Sequence, residues 1–500
     1  MVDKLVTQMT TTTEVNLESL GFNEKTSFDR SKLETNIVHI GFGAFHRGHQ
    51  AVYNDLTNDQ SDKLWGICEI NMFGGPELIA DLQAQQHLFS VVERSADSMV
   101  SRLIRSVTES IHTPVDGIQA AIDKLAEPQV KIVSLTITEK GYCSDPQSGQ
   151  LDINNGLIQH DLNNPQTPQS ALGLITEALR VRRDKGLAPF SVLSCDNIPE
   201  NGLLTKEAVL SFAKQLDSAL AAWIEQNVTF PSTMVDRIVP AMTDDAFAVI
   251  DECIGYRDPC GIVCEDYRQW VIEDNFVAGR PDWDKAGAMF VADVLPYEEM
   301  KLRMLNGSHS FLAYNGFLAG YDFIYQCMED SDFRATTLRL MLEEQAKSLN
   351  PSLKVDLEQY ASLLIGRFSN PNIKHKTAQI AMDGTQKLPQ RAIDPMLTLL
   401  ERGITPTCQP LLIAGWATFV INAVSNGDDL VDPMAEQLKQ AVNSATTAEE
   451  QLEALLALEQ IFGQHPQSNE TFAALIKAAF VNLQETGIKG LVHSVSKGNK

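Results

Sequence analysis

Asn36-Ile37-Val38-His39-Ile40-Gly41-Phe42-Gly43-Ala44-Phe45-His46-Arg47-Gly48-His49-Gln50 is the stretch that decides the fold of this 500-residue chain. The β-branched run 36–40 reads as a buried strand. It passes straight into Gly-x-Gly and then into a helical pattern that continues through Leu56. A dinucleotide-binding fold begins in this way. The glycines allow a tight turn and let a pyrophosphate approach free N–H groups at the helix start. Gly41, Phe42, Gly43, Ala44 and Phe45 are therefore the cofactor-binding candidates of the turn. The third glycine of G-x-G-x-x-G is missing, and His46 stands there, so the turn alone is weak evidence.

Outward from the turn, strand and helix patterns alternate. The strand at 64–71 carries Glu69 near its end. A carboxylate at that place accepts hydrogen bonds from the adenosine ribose and repels a 2′-phosphate, so NAD is expected over NADP. A helix is expected at 76–86, strands at 88–93 and 100–107, and a helix at 116–125. The near-continuous β-branched run 130–138 reads as a strand covered on both faces. A helix at 171–183, a strand at 190–195 and one long helix over 201–226 follow. The stretch 233–240 reads as a strand and loop, while 262–275 shows no clear period. This alternation predicts an α/β, Rossmann-type, doubly wound parallel sheet. Ligands in such sheets bind outside the carboxyl ends of the strands. That rule places Glu69, Thr138, Lys140 and Asn197 on one rim with the glycine turn.

From about residue 294 strand signals nearly vanish and helical patterns take over. The expected organisation is a polar N-terminal tail at 1–30, an NAD-binding domain at 31–290 and a mostly α-helical substrate and catalytic domain at 291–500. Within the last, Lys301-Leu302-Arg303-Met304-Leu305-Asn306-Gly307-Ser308-His309-Ser310 reads as one helix. At about 100° per residue, Lys301, Asn306 and His309 fall within one arc of about 140°. Lysine, asparagine and histidine together make a chemical set: a proton carrier, a neutral dipole and an orienting donor.

The charge balance limits the partners. The net charge is −25, with 40 Lys and Arg against 65 Asp and Glu. Nucleic acid is disfavoured, because that affinity rests on clustered basic residues. An anionic small substrate would need a local positive pocket. The N-terminal residues lack the apolar core of a secretory signal. The apolar run 411–424 is too short to span a bilayer and reads as a buried helix. The eight cysteines are scattered. Cys253, Cys260 and Cys264 lie closest together but have no histidine nearby, so buried thiols are expected there and not zinc. A cytoplasmic protein with no metal and no membrane partner is expected, and a monomer is the working assumption.

Five segments together resemble the polyol-specific long-chain dehydrogenase/reductase family. They are 41–50, Thr-Glu-Lys-Gly-Tyr at 138–142, Ser-Cys-Asp-Asn at 194–197, Asp-Arg-Ile-Val-Pro at 236–240 and Lys-x-x-x-Leu-Asn-Gly-x-His-Ser at 301–310. The likeness runs from about residue 30 to 490. Trp-Gly-Ile-Cys-Glu at 65–69, the segment 267–276 and Arg-Phe-Ser-Asn-Pro at 367–371 are similar to the hexuronate-reducing branch, which interconverts D-mannonate and D-fructuronate. The resemblance implies NAD as cofactor, a zinc-independent hydride transfer, a Rossmann domain and a helical C-terminal domain. It implies Lys301 as general acid/base, Asn197 and Asn306 as the pair holding the reacting oxygen, His309 as a substrate-orienting residue and Lys387 as a substrate-contacting lysine. Mannitol-oxidising members carry an arginine eight residues before that lysine, where this chain has Gln379. A uronate carboxylate needs a cation, and Lys387, Lys374, His375 and Arg367 are the candidates. Asp236 joins the substrate-binding candidates; beside Arg237 it reads as either an ion pair or a site element. Altronate with tagaturonate, or mannitol with fructose, are the alternative substrate pairs, and a non-catalytic sugar-acid sensor is the remote one.

Overall fold

The computed structural model describes residues 16–145 and 149–498. The expected tail falls partly on residues 1–15, which lie outside the described residues. From Asn16 onward the segment is anchored. Leu17 is fully buried, Glu24–Lys25 pairs in parallel with Arg102 and Leu103, and the Thr26 hydroxyl donates to Asp55. The chain divides into two compact units, Met1–Val294 and Leu295–Lys500.

Unit 1 is built on a five-stranded parallel sheet. Its strands are β1 (Glu34–Ile40), β2 (Trp65–Asn71), β3 (Val107–His112), β4 (Ile132–Leu135) and β5 (Ser191–Ser194), in the spatial order β3-β2-β1-β4-β5. The strand order reverses between β1 and β4, which is where a doubly wound sheet opens its ligand crevice. Both faces of the sheet are apolar. Val38, Ile40, Val133 and Val192 belong to one core with Leu174 and Phe212, while Ile37, Ile132 and Leu193 belong to another with Val52 and Trp270. Alternate residues of a strand point to opposite faces, so a sheet covered on both sides reads as an unbroken hydrophobic run.

The expected simple alternation is interrupted. Phe89–Arg94 and Met99–Ile104 form an antiparallel hairpin that belongs to a separate four-stranded sheet with Glu24–Lys25 and Ile262–Glu265. The segment without a clear period holds two strands, Ile262–Glu265 and Gln269–Glu273; the latter pairs with Thr233–Asp236 in a third sheet. The single long helix expected at 201–226 is two helices, Asn201–Leu216 and Ser218–Asn227. Asp217 separates them in an extended conformation, and its carboxylate accepts the N–H of Ala219. Capping by a short acidic side chain outweighs the continuous apolar pattern there.

Unit 2 is helical among its described residues, around one large apolar core. Cys408–Asn426 is long and apolar enough to cross a membrane by length and composition, but 78% of its apolar window is buried in the fold. Gly415 lets this helix meet its neighbour, since a Cβ there would lie 2.3 Å from the Asn315 amide oxygen. Its N-terminal N–H groups at Thr407, Cys408 and Gln409 all donate to the Glu344 carboxylate, at 2.7, 2.7 and 2.8 Å. Three segments of unit 2 are wide π turns: Lys301–Asn306, Leu340–Gln345 and Pro389–Ile393. They converge at Gly307, where an added Cβ would come within 2.6 Å of the Gln345 amide and 3.0 Å of the Arg391 carbonyl.

Candidate active site

In unit 1 the turn after β1 is dictated by crowding. Gly41 sits at φ +107°, and a Cβ there would lie 2.2 Å from the Thr136 carbonyl oxygen. Only glycine fits. Gly43 is different: a Cβ would meet nothing closer than the Gly41 carbonyl at 3.8 Å. The space over Gly43 is thus left open by the protein itself. It belongs to a cavity of about 300 Å³ lined by Gly41, Gly43, Asn71, Phe73, Thr138 and Leu157 among others, none of them charged. The cavity lies at the carboxyl ends of β1, β2 and β4, against the switch point, so the residues present fit a dinucleotide. Ala44 and Phe45 follow in the short helix Ala44–Gly48, where Phe45 stacks on His49. Phe42 also lines the cavity, and its ring packs edge-on against Phe89 in the core.

Glu69 is not on the rim, which corrects the sequence-based placement. β2 ends at Asn71, as expected, and Glu69 lies two residues inside it, fully buried. Its carboxylate is 2.8 Å from His46 Nε2, and the His46 ring stacks on His39 at 3.5 Å. His39 Nε2 in turn contacts the Gly41 carbonyl at 3.0 Å and Thr136 Oγ1 at 2.9 Å, and Nδ1 contacts Ser134 Oγ at 2.8 Å. Burial pushes Glu69 up to about 7 and holds His39 and His46 down at about 3, so the pair shares a proton and stays neutral overall. The three side chains also lie close enough to ligate a metal ion, although the His46–Glu69 separation is that of a hydrogen bond. Asn71 stands where Glu69 was expected. It lines the cavity, and its Oδ1 accepts the N–H of Phe42 at 2.8 Å. Charge repulsion of a 2′-phosphate by Glu69 therefore drops out.

The rest of the rim is tied together by Asp196, the residue before Asn197. Its carboxylate accepts the N–H of Ile137 at 3.0 Å, the N–H of Thr138 at 2.9 Å and the Tyr142 hydroxyl at 2.8 Å. Thr138 is held at φ +61°, in the left-handed region that a β-branched residue avoids. Burial nonetheless pushes the Asp196 pKa upward against these three donors. Asn197, next in the chain, is exposed at the end of β5, and Lys140 is exposed in the turn Thr138–Gly141. Asp236 ends the strand Thr233–Asp236 and is buried. Its neighbour Arg237 pairs with Glu93 at 2.6 Å and also donates to the Glu265 and Gly48 carbonyls, so it clamps the fold.

In unit 2 the Lys301–Ser310 stretch is not one uniform α-helix. Lys301–Asn306 is the π segment, and Gly307–Leu318 continues as α-helix. Bonds from i to i+5 turn successive side chains by less than the 100° of an α-helix, so the single-arc geometry worked out above does not hold as drawn. Lys301 and His309 are buried, 6% and 7% exposed. The Asn306 Oδ1 is buried without a hydrogen-bond partner among the described residues. The His309 ring packs on Phe368 at 4.4 Å and meets His375 edge-on at 5.2 Å. Burial drives its pKa well down, reinforced by His375, Arg367, Arg391 and Lys387, so the imidazole is neutral.

Of the sequence candidates, His375 touches His309, and Arg367 and Lys387 lie near enough to act on its charge. Lys387 donates to the carbonyls of Ile380 and Met382, at 3.2 and 2.5 Å, and lies 4.0 Å from Asp383. Lys374 and Gln379 are exposed. The cation that sequence reasoning missed is Arg391, whose Nη1 donates to Ser310 Oγ at 3.1 Å and to the Asn306 carbonyl at 3.4 Å. Its only sequence signal was its place four residues after Lys387.

Comparison with known proteins covers both units. Residues 35–285 match the mannitol dehydrogenase Rossmann domain, and residues 293–484 match the mannitol dehydrogenase C-terminal domain. D-mannonate oxidoreductase of Escherichia coli (strain K12) is 51% identical over 470 residues, covering 93% of this chain and 96% of that one. Among solved structures, the Pseudomonas fluorescens mannitol 2-dehydrogenase ternary complex with NAD and D-mannitol superposes with a TM-score of 0.81 at 36% identity, covering 96% of this chain and 98% of the other. A substrate-free D-sorbitol dehydrogenase gives a TM-score of 0.85 at 30% identity, covering 95% and 99%.

Proposed function

This chain belongs to the mannitol dehydrogenase family, and from that premise we propose that it interconverts D-mannonate and D-fructuronate with NAD, in hexuronate breakdown. The observation that carries the choice of a sugar acid is the gathering of the basic side chains Arg367, Lys387 and Arg391 near His309, with Arg391 on Ser310 and Asn306, in a chain whose net charge is −25. The likeness to D-mannonate oxidoreductase supports it, and the NAD complex of the P. fluorescens relative supports the cofactor.

In this reading Gly41, Gly43, Asn71 and Thr138 hold the dinucleotide, which when bound supplies the hydride acceptor. Lys301 takes the proton of the substrate hydroxyl, and its place in the buried π segment keeps water from competing for that proton. Asn306 and Asn197 steady the oxygen as negative charge develops on it; a neutral amide donates without offering a competing proton acceptor of similar basicity. The Asn306 Oδ1 needs a donor, and a substrate hydroxyl supplies one. Neutral His309 hydrogen-bonds a further hydroxyl. D-Mannonate and NAD⁺ thereby give D-fructuronate, NADH and a proton, with a lysine as the base and no metal in that role.

The test is a substrate panel followed at 340 nm: D-mannonate, D-altronate and D-mannitol, each with NAD⁺ and with NADP⁺. D-Mannonate with NAD⁺ should give the highest kcat/KM. A higher value with D-mannitol would replace the sugar-acid reading by that of the P. fluorescens relative. Absence of any change at 340 nm, with NADH still binding, would replace catalysis by sensing.

A further inference from the structure

Several arginine side chains of this protein are each matched to more than one acceptor. Arg182, 1% exposed, has no acid beside it, yet it donates to four carbonyls, those of Ala188, Leu125, Glu127 and Val130. Arg237 has the Glu93 carboxylate and the carbonyls of Glu265 and Gly48. Arg47 has the carbonyls of Gly43 and Cys260. Arg303 has the carbonyl and hydroxyl of Ser348, with Glu299 at 3.8 Å.

Arg391 is paired less completely than these. A guanidinium offers five N–H donors in a planar fork. In Arg391 only Nη1 is engaged, with one hydroxyl at 3.1 Å and one carbonyl at 3.4 Å. Nε and Nη2 have no acceptor, and no carboxylate lies within ion-pair distance among the described residues. Burial alone lowers its pKa to about 10, so it remains a cation at neutral pH. Two further basic side chains, Arg367 and Lys387, act with it on His309. Arg391 is partly exposed, so the unpaired side of its fork is open to a ligand that brings a counter-charge.

The location is as informative as the vacancy in its donor set. Arg391 sits in the π segment Pro389–Ile393, and its Nη1 touches both the last carbonyl of the Lys301–Asn306 segment and Ser310 of the next turn. Lys387, one turn earlier, is already engaged by two backbone carbonyls. Arginine also suits a planar anion better than lysine, because two parallel N–H bonds match the two oxygens of a carboxylate.

We propose that Arg391 is the residue that binds the substrate carboxylate, and so selects a sugar acid over a neutral polyol. The proposal rests on the sugar-acid reading above and names the residue that enforces it. Nη2 and Nε grip the carboxylate side-on, while Nη1 keeps its two protein contacts and holds the fork in place.

The experiment compares Arg391→Met and Arg391→Lys with the wild type, using D-mannonate and D-mannitol as paired substrates and NADH fluorescence for cofactor binding. Arg391→Met should lower the ratio of kcat/KM for D-mannonate to that for D-mannitol by roughly 10²-fold or more, mainly through KM for D-mannonate. Arg391→Lys keeps the charge without the fork and should fall between. NADH affinity should stay as in the wild type. A loss of fold would depress both substrates alike, so the ratio, read on protein with a cooperative thermal transition, is insensitive to it. An unchanged ratio in both variants, with D-mannonate still turned over, would overturn the role of Arg391 and leave the proposed function standing. A wild type that prefers D-mannitol would instead overturn the proposed function, whatever the variants do.

Discussion

Asp196→Asn is the sharpest test of how the rim of unit 1 is held. The carboxylate serves three donors from one position: Oδ2 takes the Ile137 N–H and the Tyr142 hydroxyl, and Oδ1 takes the Thr138 N–H. An amide has one oxygen. Placed at Oδ2, that oxygen keeps Ile137 and Tyr142 but turns an NH₂ toward the Thr138 N–H. Placed at Oδ1, it keeps Thr138 and turns the NH₂ toward Ile137; Tyr142 can then accept from the amide and donate to Ser194 Oγ, 2.6 Å away. In both orientations one backbone N–H loses its acceptor. That costs about 1–3 kcal/mol, and the surviving bonds fall to about half their charge-assisted strength, so a total near 2–3 kcal/mol is expected. Urea unfolding followed by tryptophan fluorescence suits the measurement, because four of the five tryptophans, Trp65, Trp223, Trp270 and Trp283, lie in unit 1. KM for NAD⁺ should rise with the loss, because Thr138 would no longer be held at φ +61°. A midpoint shift worth less than about 0.5 kcal/mol, with KM unchanged, would refute the reasoning.

Gly41→Ala and Gly43→Ala should part company. The first puts a Cβ 2.2 Å from a backbone oxygen at a positive φ and should destabilise unit 1 by about 2 kcal/mol or more, whereas the second meets only open space and should leave the urea midpoint intact while weakening NADH binding. Glu69→Gln should change stability in a pH-dependent way: the wild-type carboxyl ionises near 4.5 when unfolded and near 7 when folded, so wild-type stability from this group falls as pH rises between those values. Relative to wild type the variant should gain up to about 3 kcal/mol across that window and nothing further above it; a difference that is flat with pH would show that Glu69 is ionised in the fold. Lys301→Ala should reduce kcat by about 10²–10⁴-fold with NADH binding retained, and a rate within a few-fold of wild type would remove it from the chemistry.

The sheet was legible because its strands are apolar on both faces and its helices are not, a contrast that survives in a single sequence. Glu69 was misplaced for a reason of the same kind. An acid near the end of a strand resembles a ribose contact, but whether it faces a ligand or a buried histidine depends on which neighbour stands behind it. Here that neighbour is His46, the residue occupying the missing third glycine. The break at Asp217 was hidden because both flanking helices share one apolar period, and a cap needs only one residue to end it. Arg391 escaped notice because nothing in a single sequence brings it to the 301–310 stretch; the packing of the π segment Pro389–Ile393 does. In unit 2 the residue types of the candidate site were readable, but their geometry was not, since a 3.6-residue template cannot register a π turn.

That π turn makes the separation of Lys301 from His309 a matter of counting. A helix keeps its phase in whole residues, and a widened turn is one residue more than an α-helix of the same rise would hold. Deleting any one of Leu302 to Leu305 would let the segment close to ordinary i→i+4 bonding. Lys301 and His309 would then keep nearly the same relative direction, because the α-helix without the extra residue has about the same rise and turn. Leu302 and Leu305 can be exchanged for other apolar side chains, because what they supply is bulk. The extra residue thus adds a side chain to this stretch without turning Lys301 away from His309.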